Sequence, residues 1–91
     1  MTYSKEQLKN IEKFASVFLP VSDIAVCIGV SPEILKHDIR DYNNPVRTAY
    51  MRGKSFSKAA LLAQEMKLAK VGSPLGLQTT KQALIDMELD E

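Results

Sequence analysis

The chain is divided at short intervals by residues that end one helix and begin the next, and this punctuation constrains its fold most. Between segments rich in helix-forming residues lie Pro20, Gly29, Ser31-Pro32, Asn43-Asn44-Pro45 and Gly72-Ser73-Pro74. Gly suits the left-handed position that closes a helix, while Ser followed by Pro supplies a cap and a first helical residue. We find no sustained alternation of apolar and polar residues, so we expect no strands. The sequence predicts an all-α domain of five helices.

The same signals set approximate helix bounds. Ser4 and Gln7 form a capping box, and apolar residues at helical spacing extend the first helix from about 4 to 18. Ser22 is predicted to cap the second helix, Gly29 to close it, and Ser31 to cap the third. Helix formers then run almost unbroken over about 45–71, a helix of roughly 40 Å at 1.5 Å per residue. A closing helix is expected over about 74–87.

Size and cysteine content exclude several classes of protein. A chain of 91 residues fits one small domain with a thin core, so burial through self-association would help it. Cys27 is the single cysteine, which excludes an internal disulfide and leaves no zinc-ligand set. It lies in an apolar run and is expected in the core. The polar start and short apolar runs predict a cytoplasmic protein with no membrane contact.

The charge is small overall but unevenly distributed. The net charge is +1, yet six basic residues stand against Glu65 alone between positions 47 and 71. From position 72 onward, four acidic residues stand against Lys81. A basic segment beside an acidic one favours a polyanion or an acidic partner over a small neutral ligand. The alternative is an ordinary solvated helix face.

Residues 22–41 have the spacing of a helix-turn-helix unit. Ala25 is a small residue that lets two helices cross closely, and Gly29 follows four residues later with the positive φ that a tight turn requires. Val30 can then fill the angle between the helices. In such a unit the second helix enters the major groove of DNA and its outward side chains meet base edges. The alternative is a tight helical corner that serves only the core.

This hypothesis assigns two sets of DNA-contacting residues. The residues expected at bases are Ser31, Lys36, His37 and Arg40. Those expected toward phosphates are Arg47, Arg52, Lys54 and Lys58. The second helix of the unit also carries several acidic residues, which would weaken attraction to phosphate. We therefore expect weak binding to duplex DNA that depends on several copies acting together.

Four stretches of the chain resemble phage and prophage helix-turn-helix proteins related to the terminase small subunit. They are Ser22-Asp23-Ile24-Ala25 through Gly29-Val30-Ser31, Tyr50-Met51-Arg52-Gly53-Lys54, Ala60-Leu61-Leu62-Ala63, and Leu68-Ala69-Lys70 with Gly72-Ser73. The resemblance spans about 21–87. It implies an oligomer that recognises DNA for genome packaging, with a terminase large subunit as a candidate partner. A transcriptional regulator of a mobile element and an assembly module that does not bind DNA remain alternatives.

Catalysis and cofactor binding lack the residues they need. Gly53-Lys54-Ser55 imitates the end of a phosphate-binding loop, but Thr48 stands where that loop needs its first Gly. His37 is the only histidine. No nucleophile–base set and no metal-ligand cluster is evident, so we expect no enzyme activity, no cofactor and no metal. The carboxylate pairs Asp38 with Asp41 and Asp86 with Asp90 are expected to be solvated edges.

The fourth predicted helix is apolar over much of its circumference. Apolar or small residues recur at spacings of three or four from Val46 to Ala63, and Leu61, Leu62 and Met66 lie beyond that stripe. Such a helix is normally buried on more than one side. We therefore expect a homo-oligomer whose interface includes Leu62, Met66, Leu77 and Leu84. The alternative is that the first and last helices cover the whole surface.

Overall fold

A computed structural model describes residues 2–71 and 75–91. The environments of side chains are described for these residues except 68–71 and 75–79. Its helices are α1 (Lys5–Ser16), α2 (Val21–Ile28), α3 (Pro32–Arg40), α4 (Pro45–Val71) and α5 (Leu75–Asp90). No strand occurs within the described ranges. The prediction of an all-α domain with five helices is confirmed, and α5 extends three residues beyond its predicted end at 87.

Helix α1 begins as predicted but ends early. The Ser4 hydroxyl accepts the Gln7 N–H at 3.0 Å, and the Gln7 side chain accepts the Ser4 N–H at 2.9 Å. The chain leaves the helix at Val17, and Phe18 adopts φ 59° with its side chain buried. A left-handed residue other than Gly costs about 1–2 kcal/mol, while burying a Phe side chain gains about 1.5–3 kcal/mol. Burial of the Phe18 ring therefore explains the turn.

The start and the outer face of α2 differ from expectation. The residue preceding the helix is Pro20, so Ser22 lies in the first turn and is not the cap. Its N–H and hydroxyl instead donate to the Asp90 carboxylate of α5. Cys27 is exposed, which corrects the prediction of a core thiol. The buried stripe of α2 is Val21, Ile24 and Ala25, and the angular position of Cys27 lies outside that stripe.

Helices α1 and α4 pack along one another and share one buried apolar cluster. Ile11 and Ala15 of α1 are buried in the same apolar cluster as Val46 and Tyr50 of α4. Gly53 permits this approach, because a Cβ built there would lie 2.1 Å from the main-chain oxygen of Glu12. In the sequence, Gly53 is a residue of low helix propensity within the run of helix formers over 45–71. In the structure, the absence of a side chain at Gly53 lets the Glu12 main chain approach α4 closely.

Helices α2 and α3 cover one end of this pair, and α5 returns along α4. Three ion pairs show that α5 is antiparallel to α4, namely Glu65–Lys81, Lys58–Glu88 and Lys54–Glu91. Leu84 and Met87 of α5 are buried in the shared cluster. None of the described helices combines the length and apolar character needed to cross a membrane.

Candidate nucleic-acid interface

The α2–α3 unit has the close packing that its sequence predicts. Ala25 is fully buried between the helices, and Gly29 takes a left-handed conformation with φ 78°. The Val30 N–H donates to the Ala25 carbonyl at 3.0 Å, which closes the turn. Val30 then packs against the core cluster. These contacts fix the direction in which α3 leaves the turn and hence which of its side chains face outward.

One side of α3 is buried and the opposite side faces solvent. Leu35, Asp38 and Ile39 form the buried side. His37 and Arg40 are exposed, and Lys36 is half-buried at the edge of the outward face. Among the predicted base-contacting residues, the structure thus brings three onto one surface.

Ser31 stands at the start of α3 and is already engaged. Its hydroxyl donates to the Glu33 carboxylate at 2.7 Å. This hydrogen bond lowers the pKa of Glu33 below its usual value. Ser31 precedes α3 at the predicted cap position, but its side chain makes no capping hydrogen bond to the helix.

The acidic end of α5, comprising Glu88, Asp90 and Glu91, lies against the predicted DNA-contacting cations. The Asp90 carboxylate accepts the Ser22 N–H at 2.7 Å, the Ser22 hydroxyl at 3.1 Å and the Lys36 ammonium at 3.4 Å. Desolvation alone would raise the pKa of Asp90. The hydrogen bonds from Ser22 and the charge of Lys36 outweigh it and hold that pKa below its usual value. Asp90 is therefore a bound, ionised carboxylate.

Lys54 is the most deeply buried cation of the described chain and is not free to reach phosphate. Its side chain is 8% exposed, and its ammonium lies 2.5 Å from Glu91 and 3.1 Å from Glu88. A buried ammonium requires paired carboxylates, because an uncompensated charge out of water is very unfavourable. This position corrects the prediction that Lys54 contacts DNA phosphates. The neighbouring Tyr50 has its pKa raised, first by burial and then by the Glu91 carboxylate.

The acidic end also reaches two other predicted contacts. Arg40 donates to the main-chain oxygen of Glu91 at 2.6 Å. Lys58 lies 3.8 Å from Glu88 and is nearly half exposed. Both side chains keep solvent-facing surface, so their interactions with the acidic end are weaker than that of Lys54.

The two remaining predicted phosphate contacts lie near α1 and the α3–α4 loop. Arg47 donates to the Ile39 carbonyl at 2.9 Å and stacks on the Tyr42 ring at 4.1 Å, so it braces the loop between α3 and α4. Arg52 is two-thirds exposed and lies 3.9 Å from Glu12. Arg52 is consequently the most exposed of the ion-paired cations in the predicted phosphate set.

Sequence reasoning missed Asp38 and the acidic end of α5. Asp38 was expected on a solvated edge, but it is buried and accepts the Tyr3 hydroxyl at 2.7 Å. Burial and this carboxylate raise the pKa of Tyr3. The position of Asp38 three residues after Leu35, on the apolar stripe, was the available signal. For the acidic end, the signal was the opposite charge of the segments 47–71 and 72–91.

The predicted oligomer residues fall into three groups. Leu62 and Met66 are 50% and 69% exposed on α4. Leu84 is 8% exposed because α5 packs it into the internal cluster with Phe18 and Leu61, which corrects its assignment to an interface between copies. The side chain of Leu77 lies outside the described residues.

Comparisons with known proteins add no assignment. No family model, curated protein or solved structure matches the chain. In the part of the chain that the structure describes, no three His, Cys, Asp or Glu residues are grouped so that they could hold a metal ion.

Proposed function

We propose that the protein binds duplex DNA through the outward face of α3. The observation that carries this proposal is the closed α2–α3 turn, in which left-handed Gly29 directs Lys36, His37 and Arg40 away from the core. In helix-turn-helix proteins the second helix enters the major groove with this orientation. Lys36 and Arg40 can meet base edges or phosphates, while His37 offers ring nitrogens to base edges.

Binding in this way is in competition with the acidic end of α5. Asp90 holds Lys36 and the first turn of α2, and Glu91 holds Arg40 through its main-chain oxygen. A phosphate brought to Lys36 or Arg40 would have to displace these oxygens, so part of its attraction is offset. The proposal therefore implies weak binding that becomes useful when several copies bind one DNA.

The biological role rests on the resemblance to small phage proteins related to the terminase small subunit. On that basis, an oligomer of this chain would mark DNA for packaging and present it to a large subunit with ATPase and nuclease activity. A regulator of a mobile element would use the same α3 surface. The two roles are separated by the neighbouring genes, since a terminase large subunit encoded beside this chain supports packaging.

The DNA-binding proposal is tested by selecting duplexes from a random library and measuring the anisotropy of the selected duplex. We expect micromolar affinity that falls steeply with salt. Arg40→Gln and His37→Ala should each lose about 1–3 kcal/mol on the selected duplex and less on a scrambled one. The charge control is Lys67→Gln, because Lys67 is an exposed residue on the distant part of α4. Absence of salt-dependent binding to any duplex at tens of micromolar protein contradicts the proposal.

A second candidate function is an assembly module that does not bind DNA. Two observations favour it. Lys54 is paired with carboxylates inside the chain and is not available to an external anion. Leu62 and Met66 leave apolar surface exposed to solvent. This candidate predicts self-association that neither duplex DNA nor the Arg40→Gln substitution changes.

A further inference from the structure

A cationic groove runs between α1 and α4, apart from the outward face of α3. Two adjoining depressions form it, the larger of about 640 Å³, and both are lined by Lys9, Glu12 and Arg52. Lys5 extends the lining at one end and Lys13 at the other. We call this feature the α1–α4 groove. Its lining holds four cations and a single carboxylate.

The three lysines of this groove are free to bind an anion. Lys5, Lys9 and Lys13 recur every four residues, so they share one face of α1 over about 12 Å. All three are exposed, and within the described residues none is ion-paired. Arg52 lies 3.9 Å from Glu12 and stays two-thirds exposed. The α1–α4 groove thus carries an uncompensated positive charge, unlike the cations near α5.

An exposed aromatic ring stands at each end of the groove. Tyr42 is 82% exposed and lines the end near Lys5, while Phe56 is 80% exposed and lines the end near Lys13. Arg47 covers one face of the Tyr42 ring at 4.1 Å. An aromatic side chain in solvent lacks the favourable free energy that burial of its apolar surface would provide. Two such rings beside a row of lysines therefore indicate a ligand that has flat apolar surfaces and negative charge.

We propose that the α1–α4 groove binds single-stranded nucleic acid. The lysines and Arg52 would contact successive phosphates, while unpaired bases stack on Phe56 and on the open face of Tyr42. This combination of a positive groove and aromatic platforms is the general means of binding single strands without sequence preference. Bases in a duplex are already stacked on one another, so duplex DNA would use the lysines but not the rings.

A second copy of this chain fits the groove less well. In a symmetric dimer the same surface meets itself, so this groove would bring its own four cations close together. Like charges placed opposite one another oppose such a contact. Charge complementarity therefore favours a polyanion as the occupant.

The test is the fluorescence anisotropy of a labelled oligothymidylate, compared with a labelled duplex of the same length. Phe56→Ala should weaken oligothymidylate binding about 5- to 150-fold, the range measured for loss of one base–aromatic stack. Phe56→Leu keeps apolar bulk without an aromatic face and should weaken it similarly. Both substitutions are at an exposed position, and circular dichroism checks that the helices are retained.

The lysines are tested by the dependence of affinity on salt. The double substitution Lys9→Gln with Lys13→Gln should reduce the slope of log affinity against log salt by about 1.4, or about 0.7 for each lost single-strand phosphate contact. Lys67→Gln is the matched control for Lys9→Gln alone, because each removes one positive charge. Lys67 lies on α4 outside the groove and makes no phosphate contact there, so its substitution should alter the affinity less than about twofold.

Two results would overturn the proposal. One is oligothymidylate binding that Phe56→Ala and Phe56→Leu leave unchanged, and the other is absence of oligothymidylate binding at low salt. Arg40→Gln separates this site from the proposed duplex site, because it should weaken duplex binding and leave oligothymidylate binding intact. The experiments can therefore contradict the proposed single-strand site or the proposed duplex site independently of each other.

Discussion

Two glycines determine the fold in different ways, one through space and one through backbone conformation. Gly53 has no room for a side chain, since a Cβ would lie 2.1 Å from the Glu12 main-chain oxygen. Gly29 has open space around it but a φ of 78°. The requirement at Gly29 was predictable from the sequence because a helix cap is local. The requirement at Gly53 was not, because its neighbour is about forty residues away in the chain and belongs to another helix.

Substitution of these glycines should destabilise the protein for different reasons. Gly53→Ala would gain about 1 kcal/mol of helix propensity, but forcing α1 away from α4 should cost more, for a net loss of about 1–3 kcal/mol. Gly29→Ala should cost about 1–2 kcal/mol through backbone strain alone. Urea unfolding followed by circular dichroism measures both. A Gly53→Ala variant more stable than the natural chain would contradict the close contact of α1 with α4.

The helices themselves were largely predictable, because caps and apolar spacing are local properties. The bounds of α3 and α4 agree with the sequence interpretation to within a few residues. The start of α2 does not, since Ser22 is engaged by Asp90, a partner contributed by the far end of α5. Where the start of a helix depends on a contact with a distant part of the chain, the composition indicated only that the two segments carry opposite charges. The acidic end of α5 is the clearest example.

The contact of Asp90 with α2 predicts a specific dependence of stability on pH. Because the folded-state pKa of Asp90 lies below its usual value, its contribution to the free energy of unfolding is present above about pH 4 and is lost as pH falls through the lowered value. Asp90→Asn should cost about 1–2 kcal/mol at neutral pH. The difference from the natural chain should disappear in acid. Asp86→Asn makes the same charge change at an exposed position of the same helix and serves as the control.

The same acidic end should limit duplex binding if α3 contacts DNA as proposed. Asp90→Asn removes the carboxylate charge that holds Lys36, so duplex affinity should rise about 2- to 5-fold, or about 0.5–1 kcal/mol of relieved competition. Glu88→Gln tests the more exposed carboxylate and should have a smaller effect. Asp86→Asn controls for the change of net charge alone. An equal rise with Asp86→Asn would show that overall charge accounts for the effect.

At the scale of the whole molecule, the chain is elongated, measuring 46 × 20 × 17 Å. A long α4 with α5 folded back along it accounts for this shape and leaves apolar side chains in solvent. The sequence correctly indicated that α4 is apolar beyond one stripe, and it named Leu62 and Met66, which are exposed. It misplaced Leu84 because periodicity cannot say which of two apolar faces meets the same chain and which meets another copy.

Because Leu62 and Met66 are exposed, the prediction of self-association can be tested by substituting them. If Leu62 and Met66 meet a second copy, replacing both by Glu places two charges in an apolar interface and should reduce the assembly to a monomer, while the folded monomer keeps its helices. Leu84→Ala should behave differently, because its side chain is buried within the chain. It should lower the free energy of unfolding by about 2–5 kcal/mol without creating a charged surface.

Multi-angle light scattering at tens of micromolar distinguishes these effects. An oligomer mass for the natural chain and a monomer mass for the double Glu variant place the interface on the distal part of α4. A monomer mass for the natural chain contradicts the interface. It also removes the avidity that α3 would need to hold DNA while its cations are engaged with the acidic end of α5. Oligomerisation and duplex affinity should therefore fall together in the double Glu variant, even though neither substitution touches α3.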